Sequence, residues 1–223
     1  MDIERPTDPG SIGVLKREFY FPTPIYFKDL PDAERLNDAA RISIYAWRDT
    51  DTDGITRSNL RALGSWHSTI DMQTRGEYAD LKAHIDRTVA EIYVDCGYDP
   101  EFAPHCDSMW ANINPRHGYN RGHTHPNVLW SGVYYVQAPP DCGRIYFTDP
   151  RPQARVLTGR YPADATLKAS QWSEVYFHPI EGRLILFPSW LNHEVQPNLC
   201  RIEGPAGDRV SISFNYVLRR VGS

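Results

Sequence analysis

The fold is decided by the stretch Arg209-Val210-Ser211-Ile212-Ser213-Phe214-Asn215-Tyr216, in which polar and apolar side chains alternate. Alternation with a period of two predicts a β-strand with one polar and one apolar face. Residues 109–114 alternate in the same way, and Trp110, Asn112 and Asn114 share one face. We expect the polar faces of these two strands to line a cavity. A sheet face in contact with solvent would show the same alternation.

The rest of the second half of the chain also has the pattern of short strands. Gly, Pro, Asn and Asp separate predicted strands at 107–114, 119–125, 129–137, 143–148, 174–178, 183–188, 193–197 and 209–218. The first half predicts a strand or two within 12–27 and helices over 32–47 and 76–94. In the second helix, Tyr78, Leu81, Ile85, Val89 and Ile92 form one apolar stripe. This order predicts a mainly β, α+β fold, a double-sheet barrel with helices packed outside it.

Length and composition fit one domain. With 223 residues, of which 41% are hydrophobic, we expect a flexible lead-in at 1–11 and a single domain over 12–223. Helical support would occupy about 32–96 and the core barrel about 107–218. A net charge of −4 gives no electrostatic signal for nucleic acid or an anionic membrane. The N-terminus lacks the apolar core of a signal peptide, so we expect a cytoplasmic protein, either a monomer or a homodimer.

Three histidines carry the strongest chemical signal. His123 and His125 are separated by one residue, so both would point to the same side of a strand, whereas His193 must come from another strand. Three ligands on one side of a metal, with open positions opposite, suit a reactive iron. Arg209 and Ser211 place a guanidinium and a hydroxyl on one strand face, which suits one end of a dicarboxylate.

The order of these residues resembles the 2-oxoglutarate- and Fe(II)-dependent oxygenases. The segments 133–136 and 193–197 are similar to the tyrosine-rich strand and the distal histidine segment of the prolyl-hydroxylase-like branch. More closely, the chain resembles a family of uncharacterised 2-oxoglutarate/Fe(II) oxygenases from bacteria and phages. The matching segments lie between about residues 19 and 217 and include 21–24, 58–59, 64–68, 123–126, 131–135, 149–151 and 186–193.

The resemblance implies a double-stranded β-helix, also called a jelly roll, and a set of site residues. His123 would be the first iron ligand and His193 the distal one. Arg209 would bind the far carboxylate of 2-oxoglutarate, with help from Ser211 and Tyr135. His125 departs from the pattern, because most of the superfamily has Asp or Glu at that position. A neutral imidazole there would leave the iron one charge more positive.

The expected activity is that of an Fe(II)- and 2-oxoglutarate-dependent dioxygenase, a hydroxylase that uses dioxygen and an unidentified prime substrate. The departure at His125 keeps open the alternative of a three-histidine, cupin-like dioxygenase without 2-oxoglutarate. A non-catalytic metal-binding jelly-roll module is a further alternative. Asp149 is a rival carboxylate ligand, although its turn sequence explains it without a metal. The candidates for contacts with the prime substrate are Asn112, Asn114, Trp66 and Trp190.

Overall fold

The computed structural model describes residues 20–58, 61–156 and 159–222, so the predicted lead-in at 1–11 and the part of the predicted early strand at 12–19 lie outside it. The α-helices of the described residues are α1 (Ala33–Thr50), α2 (Gly54–Arg57) and α3 (Ala79–Asp95). The strands are β1 (Tyr26–Asp29), β2 (Trp66–His67), β3 (Phe102–Asn114), β4 (Asn120–His123), β5 (Trp130–Gln137), β6 (Ile145–Thr148), β7 (Glu174–Phe177), β8 (Arg183–Pro188), β9 (His193–Val195) and β10 (Arg209–Arg220).

The strands form two antiparallel sheets. One has the order β1-β8-β5-β10-β3-β2 and the other the order β4-β9-β6-β7. An apolar cluster joins the two sheets, because Tyr135 of β5 and Phe187 of β8 pack with Ile145 and Phe147 of β6. Two facing sheets of this kind confirm the predicted jelly roll.

Helices α1 and α3 cover the outer face of the six-stranded sheet. The predicted stripe of the second helix is buried, from Tyr78 to Ile92, and it packs with Met109 and Ile113 of β3 in the larger core cluster. Tyr134 of β5 donates a hydrogen bond of 2.6 Å to Oδ1 of Asn37 in α1. The helices therefore brace the sheet whose opposite face lines the cavity.

The alternation in β10 separates these two environments. Val210 and Ile212 belong to the core beneath the helices, whereas Arg209, Ser211 and Ser213 line a cavity between the sheets. Arg209 and Ser211 are buried. The polar face is therefore internal, as the cavity interpretation predicts, and not a solvent-facing sheet surface.

Two local details differ from the sequence prediction. Helix α1 continues to Thr50, beyond the predicted end at residue 47, and the short helix α2, which was not predicted, begins at Gly54. Strand β4 ends at His123, so His125 lies beyond the strand that was predicted to contain it. No helix in the described ranges is long and apolar enough to cross a membrane.

Candidate metal centre

Three imidazoles converge in the cavity between the sheets. One ring nitrogen from each of His123, His125 and His193 lies within 4.8 Å of the others. The distances between ring centroids are 4.3 Å for His123 and His193, 5.0 Å for His123 and His125, and 5.2 Å for His125 and His193. These spacings bring all three side chains within reach of a single ion.

Two of the rings are held in the form that binds metal through Nε2. Nδ1 of His123 lies 2.7 Å from the carbonyl oxygen of Arg121, and Nδ1 of His193 lies 3.0 Å from that of Leu191. A carbonyl oxygen only accepts hydrogen bonds, so each Nδ1 carries the proton and each Nε2 keeps its lone pair. This second contact is the usual support of a metal-binding histidine.

Burial keeps the imidazoles of His125 and His193 neutral. Desolvation, followed by the charge of His123, lowers the pKa of His125 to about 4. Desolvation is also the largest cause that lowers the pKa of His193 to about 3, and the charge of His123 is the next. Only neutral imidazole binds a metal ion, so these two donors fit an iron ion without having to lose a proton near neutral pH.

Both strand pairing and a loop position the three rings. His123, the last residue of β4, stands opposite His193 of β9 in the antiparallel register. His125 lies outside the strands, where its backbone N–H donates a 2.9 Å hydrogen bond to the carbonyl of Ser189. This hydrogen bond between residues distant in sequence therefore holds His125 close to the other two rings.

Arg209 lies deep in the same cavity, only 1% exposed. Its Nη1 donates to the carbonyl oxygens of Cys142 and Gln196, the latter at 2.9 Å. Within the described residues, no carboxylate forms an ion pair with Arg209, and desolvation lowers the pKa of the guanidinium. A buried cation held by neutral carbonyls alone is suited to binding an anion.

Tyr135 supplies an unused donor beside this guanidinium. Its hydroxyl is buried and has no hydrogen-bond partner in the described part of the chain. Burial raises the pKa of Tyr135, so the hydroxyl stays protonated. Ser211 stands opposite Tyr135 across β5 and β10. A buried donor without an acceptor requires an explanation, and an anionic ligand bound to Arg209 provides one.

The cavity has a volume of about 470 Å³ and is lined both by the buried Arg209 and by the exposed Arg121. Its lining also includes the apolar side chains of Ile145, Phe187 and Val195. The remaining wall includes Trp110, whose ring stacks on that of His67 with a centroid distance of 5.7 Å and an interplanar angle of 12°. His67 also lines the cavity, and its place directly after Trp66 in a possible short strand is the sequence signal that could have indicated it.

The other predicted site residues are dispersed. Asn112 lines the cavity. Asn114 and Trp66 line a small adjoining pocket, and Trp190 is 55% exposed and lines neither space. Asp149 lines another groove of the protein. Its carboxylate accepts hydrogen bonds from the Arg151 side chain at 2.9 and 3.0 Å.

Comparison with known proteins agrees with this architecture. Residues 108–215 match the family model described as "Putative 2OG-Fe(II) oxygenase". This segment contains the three histidines, Tyr135, Arg209 and Ser211. No curated protein sequence matches the chain.

Solved structures share the fold at low sequence identity. A prolyl-4-hydroxylase from Pseudomonas putida is 19% identical with a TM-score of 0.52, and the match covers 87% of this chain and 93% of that one. HygX from Streptomyces hygroscopicus, solved with nickel and 2-oxoglutarate bound, is 13% identical with a TM-score of 0.57, covering 87% and 83%. A prolyl hydroxylase from Trichoplax adhaerens, in complex with a hypoxia inducible factor peptide fragment, is 18% identical with a TM-score of 0.52, covering 86% and 83%.

Proposed function

We propose that His123, His125 and His193 hold the iron and that Arg209 receives 2-oxoglutarate, since residues 108–215 match the family model of a 2OG-Fe(II) oxygenase. The observation that carries this proposal is that one cavity contains three convergent imidazoles together with a buried guanidinium that has no carboxylate partner among the described residues. The product we expect is a hydroxylated substrate.

The metal-binding part rests on the three convergent rings. Their lone pairs can occupy one side of an iron ion and leave the opposite side open to exogenous ligands. When bound, iron supplies the redox chemistry of an overall reaction in which 2-oxoglutarate, dioxygen and a C–H substrate become succinate, carbon dioxide and an alcohol. The carbonyls of Arg121 and Leu191 keep the rings of His123 and His193 in their binding orientation.

The cosubstrate part rests on Arg209, Tyr135 and Ser211. The guanidinium would form charge-assisted hydrogen bonds with the carboxylate of 2-oxoglutarate that lies far from the metal. The Tyr135 hydroxyl, which has no other acceptor in the described chain, would donate to the same carboxylate. The apolar side chains of Ile145, Phe187 and Val195 also line the cavity and would limit the access of water to the ion pair.

The third imidazole still favours one alternative. His125 stands where most of the superfamily has a carboxylate, and a three-histidine dioxygenase that needs no 2-oxoglutarate would use the same ligands. A dioxygenase that needs no 2-oxoglutarate would not use an anion site at Arg209. The buried donors of Arg209 and Tyr135, however, both require a hydrogen-bond acceptor. The non-catalytic alternative likewise leaves this pair unexplained.

The test is an anaerobic titration of Fe(II)-loaded protein with 2-oxoglutarate, followed by the weak visible charge-transfer band of a chelated 2-oxo acid. We expect the band to appear in the wild type. Tyr135→Phe should keep the fold, because the lost hydroxyl has no partner in the described structure. Loss of one hydrogen bond to a charged group, about 1.5–3 kcal/mol, should weaken 2-oxoglutarate binding by about tenfold or more.

Arg209→Ala should abolish the band, and Arg219→Ala, which removes an exposed arginine from the same strand, should leave it unchanged. A protein that binds iron but shows no band would overturn the proposal. Such a protein that still consumed oxygen with a thiol substrate would instead be the three-histidine dioxygenase.

The remaining expectations concern the cellular setting. All four cysteines are free, which supports the cytoplasm as the proposed location, since thiols stay reduced there. We also propose that residues 12–223 form one domain, that the protein has no nucleic-acid partner and that it is a monomer or a homodimer.

A further inference from the structure

A bulge in β4 places Arg121 on the rim of the cavity. The pairing of β4 with β9 changes register between Asn120 and His123, so Arg121 and Gly122 stand opposite the single residue Glu194. Bulges of this kind redirect a side chain and are frequent beside active sites. Arg121 and Gly122 accordingly belong to the lining of the cavity that holds the three histidines.

The backbone of the same residue is tied to the metal centre. The carbonyl oxygen of Arg121 lies 2.7 Å from Nδ1 of His123. The backbone from which the Arg121 side chain extends is therefore fixed relative to a proposed iron ligand. This relationship is what an enzyme needs to place one end of a substrate while its other end reaches the reacting centre.

The guanidinium of Arg121 has hydrogen-bonding capacity left for a ligand. It forms a side-chain hydrogen bond with Tyr119. No ion pair of the described residues includes it, although Glu194 lies across the bulge near Gly122. A guanidinium has five N–H donors, and a fork of two of them matches a carboxylate or a phosphate.

The surroundings of Arg121 differ from those of Arg209. Asn112 and Asn120 line both the main cavity and the small pocket that adjoins it. Nδ2 of Asn112 donates to Ser213 at 3.3 Å, and within the described ranges no hydrogen bond is found to its amide oxygen, which can accept one from a ligand. Trp110 adds a flat aromatic wall. This outer half offers hydrogen bonds, one positive charge and a surface on which a ring can lie.

We propose that the outer half of the cavity binds a small-molecule substrate with an anionic oxygen group, a carboxylate or a phosphate, and that Arg121 selects this group. The cavity volume of about 470 Å³ lies in the range of about 300–1,000 Å³ that small-molecule sites occupy. The protein as a whole carries a net charge of −4, so the attraction for an anionic substrate comes from the Arg121 guanidinium at the rim of the cavity and not from the overall charge. The inference rests on the proposed function for the reaction that follows binding.

The experiment uses three probes with the same ring and different head groups, namely benzoate, phenyl phosphate and benzamide. The protein is loaded with Zn(II), a redox-inert ion that imidazoles bind well, and with saturating 2-oxoglutarate, so that Arg209 is occupied. Dissociation constants are measured by ligand-observed NMR. We expect at least one of the two anions to bind about tenfold more tightly than benzamide, because a tenfold ratio corresponds to the free energy of one charge-assisted hydrogen bond. The tighter anion identifies the head group.

Arg121→Gln should remove the preference for anions, and Arg121→Lys should retain part of it. The exposed side chain makes loss of folding a poor explanation, and zinc stoichiometry checks this point. Arg116→Gln removes an equal charge from an exposed arginine that does not line the cavity, and the preference should persist. Equal binding of the three probes, no binding of any probe, or equal losses in Arg121→Gln and Arg116→Gln would each overturn the inference.

A 2-oxoglutarate titration of the same samples separates this inference from the proposed function. If 2-oxoglutarate does not bind but the anionic probes still depend on Arg121, the proposed function fails and the outer anion site stands. If 2-oxoglutarate binds and the probes show no dependence on Arg121, the proposed function stands and the inference fails.

Discussion

His123 and His193 stand opposite each other on the hydrogen-bonded strands β4 and β9, with their ring centroids 4.3 Å apart. The geometry of two proposed iron ligands is therefore fixed by the register of a sheet. Sites built on strands are held more precisely than sites built on loops. His125 is the exception, because it lies beyond the end of β4 and depends on a hydrogen bond to the carbonyl of Ser189.

His123 and His193 lie on paired strands whereas His125 does not, and substitutions at His125 and His193 test whether this difference affects metal binding. We expect His125→Asp to keep metal binding, because a carboxylate with two histidines is also a sound iron site. His193→Ala should lose metal, since it removes the buried ligand that pairs with His123. Metal content after dialysis against Fe(II) under anaerobic conditions gives the result. His105→Ala, an exposed histidine on β3, is the control and should bind as the wild type does. Full loss of iron in His125→Asp would contradict the prediction.

Gly132 in β5 is required for close packing of the sheet. A Cβ atom there would lie 2.5 Å from the ring of Phe214 and 2.9 Å from the carbonyl oxygen of Ile185. Gly132→Ala should lower the free energy of unfolding by about 1–3 kcal/mol through overpacking. A Cβ at Gly76 would meet no atom within 4 Å, so Gly76→Ala should change stability by less than about 0.5 kcal/mol. Urea denaturation of both variants measures the difference, and equal midpoints would contradict the expectation.

Gly143 links backbone conformation to the proposed cosubstrate site. Its φ is +89°, and a Cβ atom would lie 2.8 Å from Nη1 of Arg209. Gly143→Ala should therefore lose about 1–2 kcal/mol of stability through strain and also weaken 2-oxoglutarate binding, because the guanidinium must move. Gly204, at φ +70° with open space around it, is the matched control. Gly204→Ala should show the strain without the loss of affinity. If Gly143→Ala and Gly204→Ala bind 2-oxoglutarate with the same affinity, the proposed effect of Gly143 on Arg209 is wrong.

A buried hydroxyl ties the outer helix to the barrel. The Tyr134 hydroxyl donates to Asn37 at 2.6 Å, and both side chains are buried. Tyr134→Phe leaves the amide oxygen of Asn37 without this donor, so stability should fall by about 1–3 kcal/mol. Tyr176→Phe changes a half-exposed ring, so its free energy of unfolding should stay within about 0.5 kcal/mol of the wild-type value. Thermal unfolding of the two variants, compared at equal protein concentration, measures the effect.

The strands and helices were largely predictable because their signals are local. The alternation in 209–216 and in 109–114 gave both the strands and the polar face that lines the cavity. The helical stripe from Tyr78 to Ile92 is buried as predicted. The boundary of β4 was not predictable, because the bulge at Arg121 depends on which strand lies beside it.

The sequence by itself determined the residue types of the site, namely three imidazoles, one arginine and a tyrosine on predicted strands. The tertiary structure alone decided which donors were left without acceptors. Among the described residues, the side chain of Arg209 donates hydrogen bonds only to carbonyl oxygens, among them those of Cys142 and Gln196, and the hydroxyl of Tyr135 has no hydrogen-bond partner there. Periodicity is a property of neighbours in the chain, whereas an unsatisfied buried group arises from the packing of distant segments.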